Sequence, residues 1–477
     1  MFARSGALVF GGILLYSLAF SFFLDDTLWR KGTLLLLCLI GLGFFNPVGR
    51  RFTAAARGLL ARLPLWSVLF VGALLRVSWA LNSGVRQTSD FFGYQRDAYF
   101  LLKGAPLLDP LKPNGAAFLY AACYSLFHAG NLGPQLVNAL LSSLQILCVY
   151  VILYRVTQSR SAGRIGALIL ALWPEHVIFC NLLSSEVPFT TMVLGSYALF
   201  TLSEEGAWKK RFVLLGLSGF LLGWAHWIRP FGPIMLVAPL LAEAFGRTPG
   251  SRFSLGRFSF LLSAFLIPIG ILCWVNMRTI GVASPNPAQT SGWSFLVGTN
   301  VKYAGQWNRE DDGLFMAESE RPSALAGVHP AVMGNRLAWD LALRRIAQDP
   351  RAFASMVFTQ KLWRLWPSAG YLGWSLNTSV LKEQWIPISL VADVLHHLAV
   401  ILSAILLLIP AKPSVGRFNI VHGFLWVAVL VTGVHAFLEM SPRYHHPFIP
   451  LFALVLAYFG ADFFASGQII DKPPVLA

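Results

Sequence analysis

Two acids, Asp90 and Asp97, stand in a charged, aromatic-rich stretch, TSDFFGYQRDAYFLLKG (88–104), directly after an apolar run. A carboxylate held at the edge of a membrane can take the proton from a hydroxyl group and so act on a substrate carried by lipid. Ser89 reads as the N-cap of a short helix, on which Asp90, Tyr94 and Asp97 share one face while Phe91, Ala98 and Leu102 share another. Asp90 then lies in the first turn, where the helix dipole favours an anion. The plainer reading is that Asp90 caps the helix and Asp97 pairs with Arg96 or Lys103.

A second acid, Glu186, opens an apolar run in NLLSSEVPFT, and acids at a hydrocarbon boundary are costly enough to imply use. Glu175 and His176, in LWPEHVIF, occupy the other lip of the same turn. Two adjacent residues without further ligands in sequence make a weak metal site, and no metal or cofactor is predicted. Facing these acids are Arg229, in WIRPFGP, and Arg443, in MSPRYHHPFIP beside Tyr444, His445 and His446. A guanidinium fork matches phosphate oxygens in pairs; the competing reading is that these arginines reach unspecific lipid headgroups.

The elements that must carry these residues follow from composition. With 56% hydrophobic and 12% charged residues among 477, and a mean hydropathy of +0.61, the chain is too apolar for a water-soluble globule. It reads as an all-α polytopic membrane protein. About twelve spans are expected: 6–24, 32–47, 65–82, 133–154, 162–180, 186–202, 211–228, 231–245, 258–279, 386–409, 419–437 and 446–464, each near the length that crosses roughly 30 Å of hydrocarbon. Arginine and lysine clusters at 50–62, 155–164, 209–211, 247–257 and 412–417 fall on one side of that arrangement, which makes it the cytoplasmic side and places both termini there. The opposite side receives 83–132, the turn near 181–185, Arg229-Pro230, the long segment 280–385 and 441–446.

The net charge of +15 is accounted for by those loops meeting anionic headgroups, so nucleic acid is excluded as a partner. Residues 1–24 read as a retained anchor, for want of a convincing cleavage site. The five cysteines are scattered in apolar surroundings with no CxxC pair, as small core residues are. The organisation expected is a two-helix anchor (1–64), a membrane core (65–279) with first loop 83–132, a lid on the membrane surface (280–385), and C-terminal spans (386–477). Within the lid, a charged helical pattern runs over 330–347, and 350–366 mixes Trp363 and Trp366 with Lys361 and Arg364 as an interfacial helix does.

In order along the chain, SDFFGYQRDAYFLLKG (89–104), VNALLSSLQILCVYVILYRVTQSRSAGRIGALILALWPEHVIF (137–179), LLSSEVPF (182–189), GFLLGWAHWIRPFGP (219–233), GTN (298–300), DPRAFASMVFTQKLWRLW (349–366) and PRYHHPFIP (442–450) resemble the bacterial type-C glycosyltransferases. That superfamily of polytopic enzymes includes the protein mannosyltransferases and the aminoarabinose transferases. The resemblance covers most of the chain from about residue 65. It implies a bacterial inner-membrane enzyme that takes a sugar from a polyprenyl-phosphate donor and delivers it, on the periplasmic face, to a glycan, lipid or protein acceptor. Carried onto matching positions, Asp90 is the catalytic base and Glu186 the second acid of the cavity. Arg229, Arg443 and Tyr444 are candidates for the lipid phosphate, and Tyr94, Asp97, Asn300 and Lys361 are further candidate substrate-binding residues. Many relatives carry adjacent acids in the first loop, whereas here Asp90 is followed by Phe91, which argues against a two-acid metal site there.

The functions of a different class are a transporter or flippase of lipid-linked sugars, or a polymerase or ligase of the same material. A transporter places its ionisable groups near mid-bilayer in broken helices, while the acids here sit at the outer boundary. The topology has a direct check. In intact cells, a membrane-impermeant thiol reagent is expected to label a cysteine at position 90 and to spare one at position 160; labelling of both from the same side would overturn the arrangement.

Overall fold

A computed structural model describes residues 2–24, 28–43, 58, 62–104, 109–128, 130–246, 255–323, 325, 327–367, 372–409 and 418–465. Among these the regular structure is helical, with no strand, as a lipid environment requires when backbone groups must be satisfied within each segment. Several expected spans are met closely: Leu65–Asn82 and Glu186–Leu202 coincide with 65–82 and 186–202, Leu132–Thr157, Trp208–Ile228 and Leu255–Ile280 extend their expectations by a few residues, and Trp385–Leu408 is the expected 386–409 shifted by one.

The expected count of twelve is not confirmed. Among the described residues six helices are long and apolar enough to cross a membrane by themselves, seven if a bent pair forms one span. Others run short: Gly232–Phe245 and Ile420–His435 fall in the 10–17 residue class, and Glu186–Leu202 and Ile449–Ala465 have 17 residues. At 1.5 Å per residue, 17 residues reach about 25 Å, less than the hydrocarbon thickness. The first loop also holds an unexpected apolar helix, Gly115–Phe127.

The bent pair is Arg160–Ala171 and Pro174–Asn181, which meet at 62° where a single span 162–180 was expected. Pro174 has no N–H to continue the ladder, so carbonyls at the break need other donors. Arg76, fully buried in the helix Leu65–Asn82, supplies them, donating to the carbonyls of Leu170 (3.1 Å) and Ala171 (3.0 Å) and also meeting Ser142 and His176. Two carbonyls at the bend are thus satisfied by a side chain of the bundle. Elsewhere helices approach closely through small residues: a Cβ on Gly219 or Gly223 would fall 2.2 and 2.4 Å from carbonyls of the helix Leu255–Ile280, a spacing that glycine alone permits in helix pairs of this kind.

The helix Glu186–Leu202 measures the distance between two unlike ends of the bundle. At its N-terminus Glu186 meets Arg229. Just past its C-terminus the Ser203 carbonyl accepts from Arg211 and Arg257, and Arg155 bridges Glu205 at 2.6 Å. Three of the basic clusters thus gather at one end, about 25 Å by helix rise from the end that holds Glu186.

The segment after Ile280 folds on three helices, Ser291–Gly298, Arg309–Glu320 and Pro330–Gln348, around Leu296, Phe315 and Ala338. Asp311 ties them together, accepting from Asn300, Asn308 and Arg345. Backbone bonds from Glu439 to Ser294 and from Met440 to Gly305 fasten this unit to the C-terminal helices. The stretch 350–366 corrects the interfacial-helix expectation. A helix over Pro350–Met356 passes into a π turn over Val357–Lys361 and a 3-10 turn over Leu362–Leu365. Trp366 is fully buried, edge-on to Phe10 at 5.0 Å and donating to Thr432. Its indole is used for core packing against the first helix, Phe2–Leu24.

Lys361, at the end of the π turn, is also fully buried. Its Nζ donates to the carbonyls of Gly298 (2.7 Å) and Ala436 (3.0 Å), two bonds that a neutral amine can make. Burial lowers its ammonium to about 7 from the ordinary 10.5, against the opposing charge of Glu439. The unfolded chain therefore binds more protons between those values, so this group makes stability rise with pH from about 7 towards 10.5 and leaves it flat below. Thermal-unfolding midpoints in detergent should climb across that window in the native chain, and the climb should flatten in Lys361→Met; parallel curves would show that the amine is not held as described.

Candidate active site

The first-loop helix begins at Ser89 itself, with Thr88 in the cap position and no side-chain cap bond. Ser89 takes φ +51, which turns the chain into the helix from the extended strand-like run before it, so the expected Ser89 cap is not formed. Asp90 is thereby freed from capping and reaches Arg443 instead, forming an ion pair in which Asp90 is 43% and Arg443 17% exposed. A second pair lies deeper: Glu186 Oε1 meets Arg229 Nη1 at 2.7 Å, with the carboxylate 3% exposed. Arg229 also donates to Ser185 Oγ at 3.3 Å.

Tyr444 joins the two pairs. The Arg229 and Arg443 guanidinium carbons lie 5.7 and 5.6 Å from its ring centroid, within cation–π range. Its hydroxyl donates to Glu439, a buried acid that sequence reasoning passed over. Burial pushes the Glu439 carboxyl up, and the Tyr444 hydroxyl pulls the other way. Tyr94 stands among Glu186, Ser185, Arg229 and Asp90, and burial, with Glu186 adding to it, pushes its phenol up to about 12. Tyr94 therefore remains a neutral hydrogen-bond donor at neutral pH. Two cations, three acids and two phenols converge here from four stretches of the chain.

Of the residues singled out in sequence, Asp90, Tyr94, Glu186, Arg229, Arg443 and Tyr444 come together. Asp97, Asn300 and Lys361 are engaged elsewhere. Asp97 is buried under Arg96, which bonds it at 2.9 Å and also reaches Asp109; burial raises its carboxyl against the pull of Arg96. Asn300 donates to Asp311 at 2.7 Å inside the unit that follows Ile280, and Lys361 is held by carbonyls. Each of the three is polar, buried and partnered within the fold, a state that residue type and spacing do not distinguish from substrate contact.

A separate cluster lies beside the site. Glu175, His396 and His445 present ligand atoms within 4.8 Å of one another, all buried. Glu175 Oε2 is 3.1 Å from His445 Nε2 and 3.7 Å from His396 Nδ1. In sequence Glu175 had His176 as its apparent partner, but His176 turns to Arg76, Ser142 and Gln145. The partners of Glu175 are more than two hundred residues away, beyond any local signal.

Residues 111–274, which include Glu175, Glu186 and Arg229, match the family model described as dolichyl-phosphate-mannose-protein mannosyltransferase. This bears out the superfamily resemblance read in the sequence, over the membrane core. A protein of Aquifex aeolicus (strain VF5) described as uncharacterized is 23% identical over 221 residues, 44% of this chain. The match spans 42% of that relative's length. Among solved structures, the apo oligosaccharyltransferase of Archaeoglobus fulgidus aligns with 83% of this chain and 50% of its own, at 12% identity and a TM-score of 0.43. ArnT from Cupriavidus metallidurans, bound to undecaprenyl phosphate, aligns with 84% of this chain and 77% of its own, at 14% identity and a TM-score of 0.38.

The deeper ion pair generates a test of the geometry. Arg229→Ala strands the Glu186 carboxylate in the interior and should destabilise the protein by about 3–5 kcal/mol, as loss of one member of a buried pair does. Adding Glu186→Gln should recover a large part of that loss in thermal unfolding. Additive losses in the double variant would mean that the two groups do not depend on each other.

Proposed function

We propose that this chain is a membrane glycosyltransferase that moves a sugar from a polyprenyl-phosphate donor to a hydroxyl acceptor on the periplasmic face of a bacterial inner membrane, with both termini cytoplasmic. The observation that carries this reading is the double pair of arginine and carboxylate around Tyr444, at the end of the bundle remote from the basic clusters. A phosphate headgroup needs guanidinium forks, and a hydroxyl acceptor needs a base within reach of the same point. The match of residues 111–274 to the mannosyltransferase family supports the same chemistry.

In this mechanism the acceptor oxygen attacks the anomeric carbon, the bond from that carbon to the phosphate oxygen breaks, and polyprenyl phosphate leaves. Asp90 takes the acceptor proton. Arg443, with Arg229 behind it, meets the charge that develops on the departing phosphate. A single displacement of this kind inverts the anomeric configuration. The Asp90–Arg443 pair gives the step an order: an arriving phosphate competes with Asp90 for Arg443, and as the guanidinium turns to it, the carboxylate is released towards the acceptor hydroxyl. Glu186, buried and paired, keeps Arg229 in place. Tyr94 offers its hydroxyl to substrate oxygens.

Asp90→Asn retains the size of the side chain but cannot accept the proton, and transfer in membranes supplied with labelled polyprenyl-phosphate sugars should fall by roughly 100-fold while donor binding persists. Arg443→Ala should instead weaken donor binding, by about 1.5–3 kcal/mol for a lost charge-assisted bond. An inserted, folded Asp90→Asn protein with undiminished transfer would remove Asp90 from the reaction.

A further inference from the structure

We propose that Glu175, His396 and His445 form a buried site for one transition-metal ion of the zinc class. Glu175 belongs to the bent pair, His396 to the helix Trp385–Leu408 and His445 to the 3-10 turn 442–448, so the three donors converge from three distant parts of the chain. Each is at most 1% exposed.

The chemistry of the donors sets the argument. His396 Nε2 faces the Trp366 carbonyl at 2.8 Å. A carbonyl accepts but does not donate, so Nε2 carries the hydrogen and Nδ1 presents a lone pair towards Glu175. That Nδ1 has no hydrogen-bond partner among the described residues, and neither has Glu175 Oε1. A proton shared between His445 and Glu175 would satisfy their 3.1 Å contact, yet it would leave both of those atoms unserved. A proton on His396 Nδ1 would still face Glu175 across 3.7 Å, too far for a hydrogen bond. Buried polar atoms are rarely left so, and a cation serves all of them at once.

Two of the three spacings match directly. Ligands about 2.0–2.2 Å from a tetrahedral ion stand roughly 3.4 Å from each other, and the two contacts of Glu175 Oε2, at 3.1 and 3.7 Å, bracket that value, while the two imidazole nitrogens lie within 4.8 Å of each other. Two imidazoles with a carboxylate favour zinc and its transition-metal neighbours over magnesium or calcium, which take oxygen donors. The bond from His396 Nε2–H to a backbone carbonyl is the outer support that metal-bound imidazoles ordinarily have. Glu175 Oε1 is available as a fourth donor. A divalent ion also offsets the charge of the buried Glu175 carboxylate.

Such an ion would join the bent pair to the turn that carries Arg443 and Tyr444, and so fix the position of the guanidinium. The site is argued from these donors alone and does not rest on the transferase reading; its test reads metal content, so the two can fail separately.

Untagged protein, purified in detergent without chelator, should contain about one equivalent of a zinc-class metal by elemental analysis. Glu175→Gln and His445→Ala should each lose it, whereas His397→Gln, which alters an adjacent imidazole bonded to its own helix, should keep it. After chelator treatment the native chain should take up one equivalent of Co2+ with a visible ligand-field spectrum, and His445→Ala should not. Native protein that holds no metal above background and takes up no Co2+ overturns the proposal, as does metal that persists in both Glu175→Gln and His445→Ala. Should either variant fail to fold, the metal content and Co2+ uptake of the native chain decide.

Discussion

The pairing of Glu186 with Arg229 is the contact on which the candidate site depends. A carboxylate 3% exposed at the start of an apolar helix cannot remain there without a cation close by, because the desolvation of a lone charge exceeds what surrounding packing can return. That requirement fixes the helix Glu186–Leu202 against the end of Trp208–Ile228, where Arg229 follows. Arg229 in turn packs over Tyr444, which sets the turn 442–448 and brings Arg443 to Asp90. One buried charge thus organises residues from positions 90 to 444.

The same rule explains the bent span. Breaking a helix inside a membrane frees carbonyls that lipid cannot satisfy, and Arg76 answers them with the two ends of its guanidinium. The bend has a consequence for Glu175. Glu175 lies just past the 62° turn, where it meets His396 and His445 from two other elements. A proline, an arginine and three metal-type ligands are therefore parts of one arrangement. His446, next to His445, stacks on Phe179 at 4.0 Å, and packs the space between this cluster and the paired acids.

The three-helix unit after Ile280 is linked to the site through its attachments and not through its own candidates. Asn300 and Asp311 hold its helices together, and Lys361 clamps Gly298 and Ala436, the latter three residues before Glu439. Polar residues in that segment serve to hold its shape. Trp366 seats the first helix against the C-terminal ones.

Composition and periodicity by themselves determined that this chain is helical, membrane-bound and divided by a long polar segment, because long apolar runs admit few other structures in lipid. They also drew attention to Asp90, Glu186, Arg229 and Arg443, since charges are scarce in such a sequence and scarcity makes each conspicuous. Partnership was another matter. Asp97 and Lys361 are equally conspicuous charges, yet their neighbours are Arg96 and two carbonyls. Glu439 went unread although its partner Tyr444 is only five residues on, because Tyr444 was assigned to the lipid phosphate; the trio of Glu175, His396 and His445 went unread because Glu175 is more than two hundred residues from both histidines. Hydropathy records how often a side chain meets water, not which other side chain it meets; that pairing was decided when the helices packed and the chain bent at Pro174.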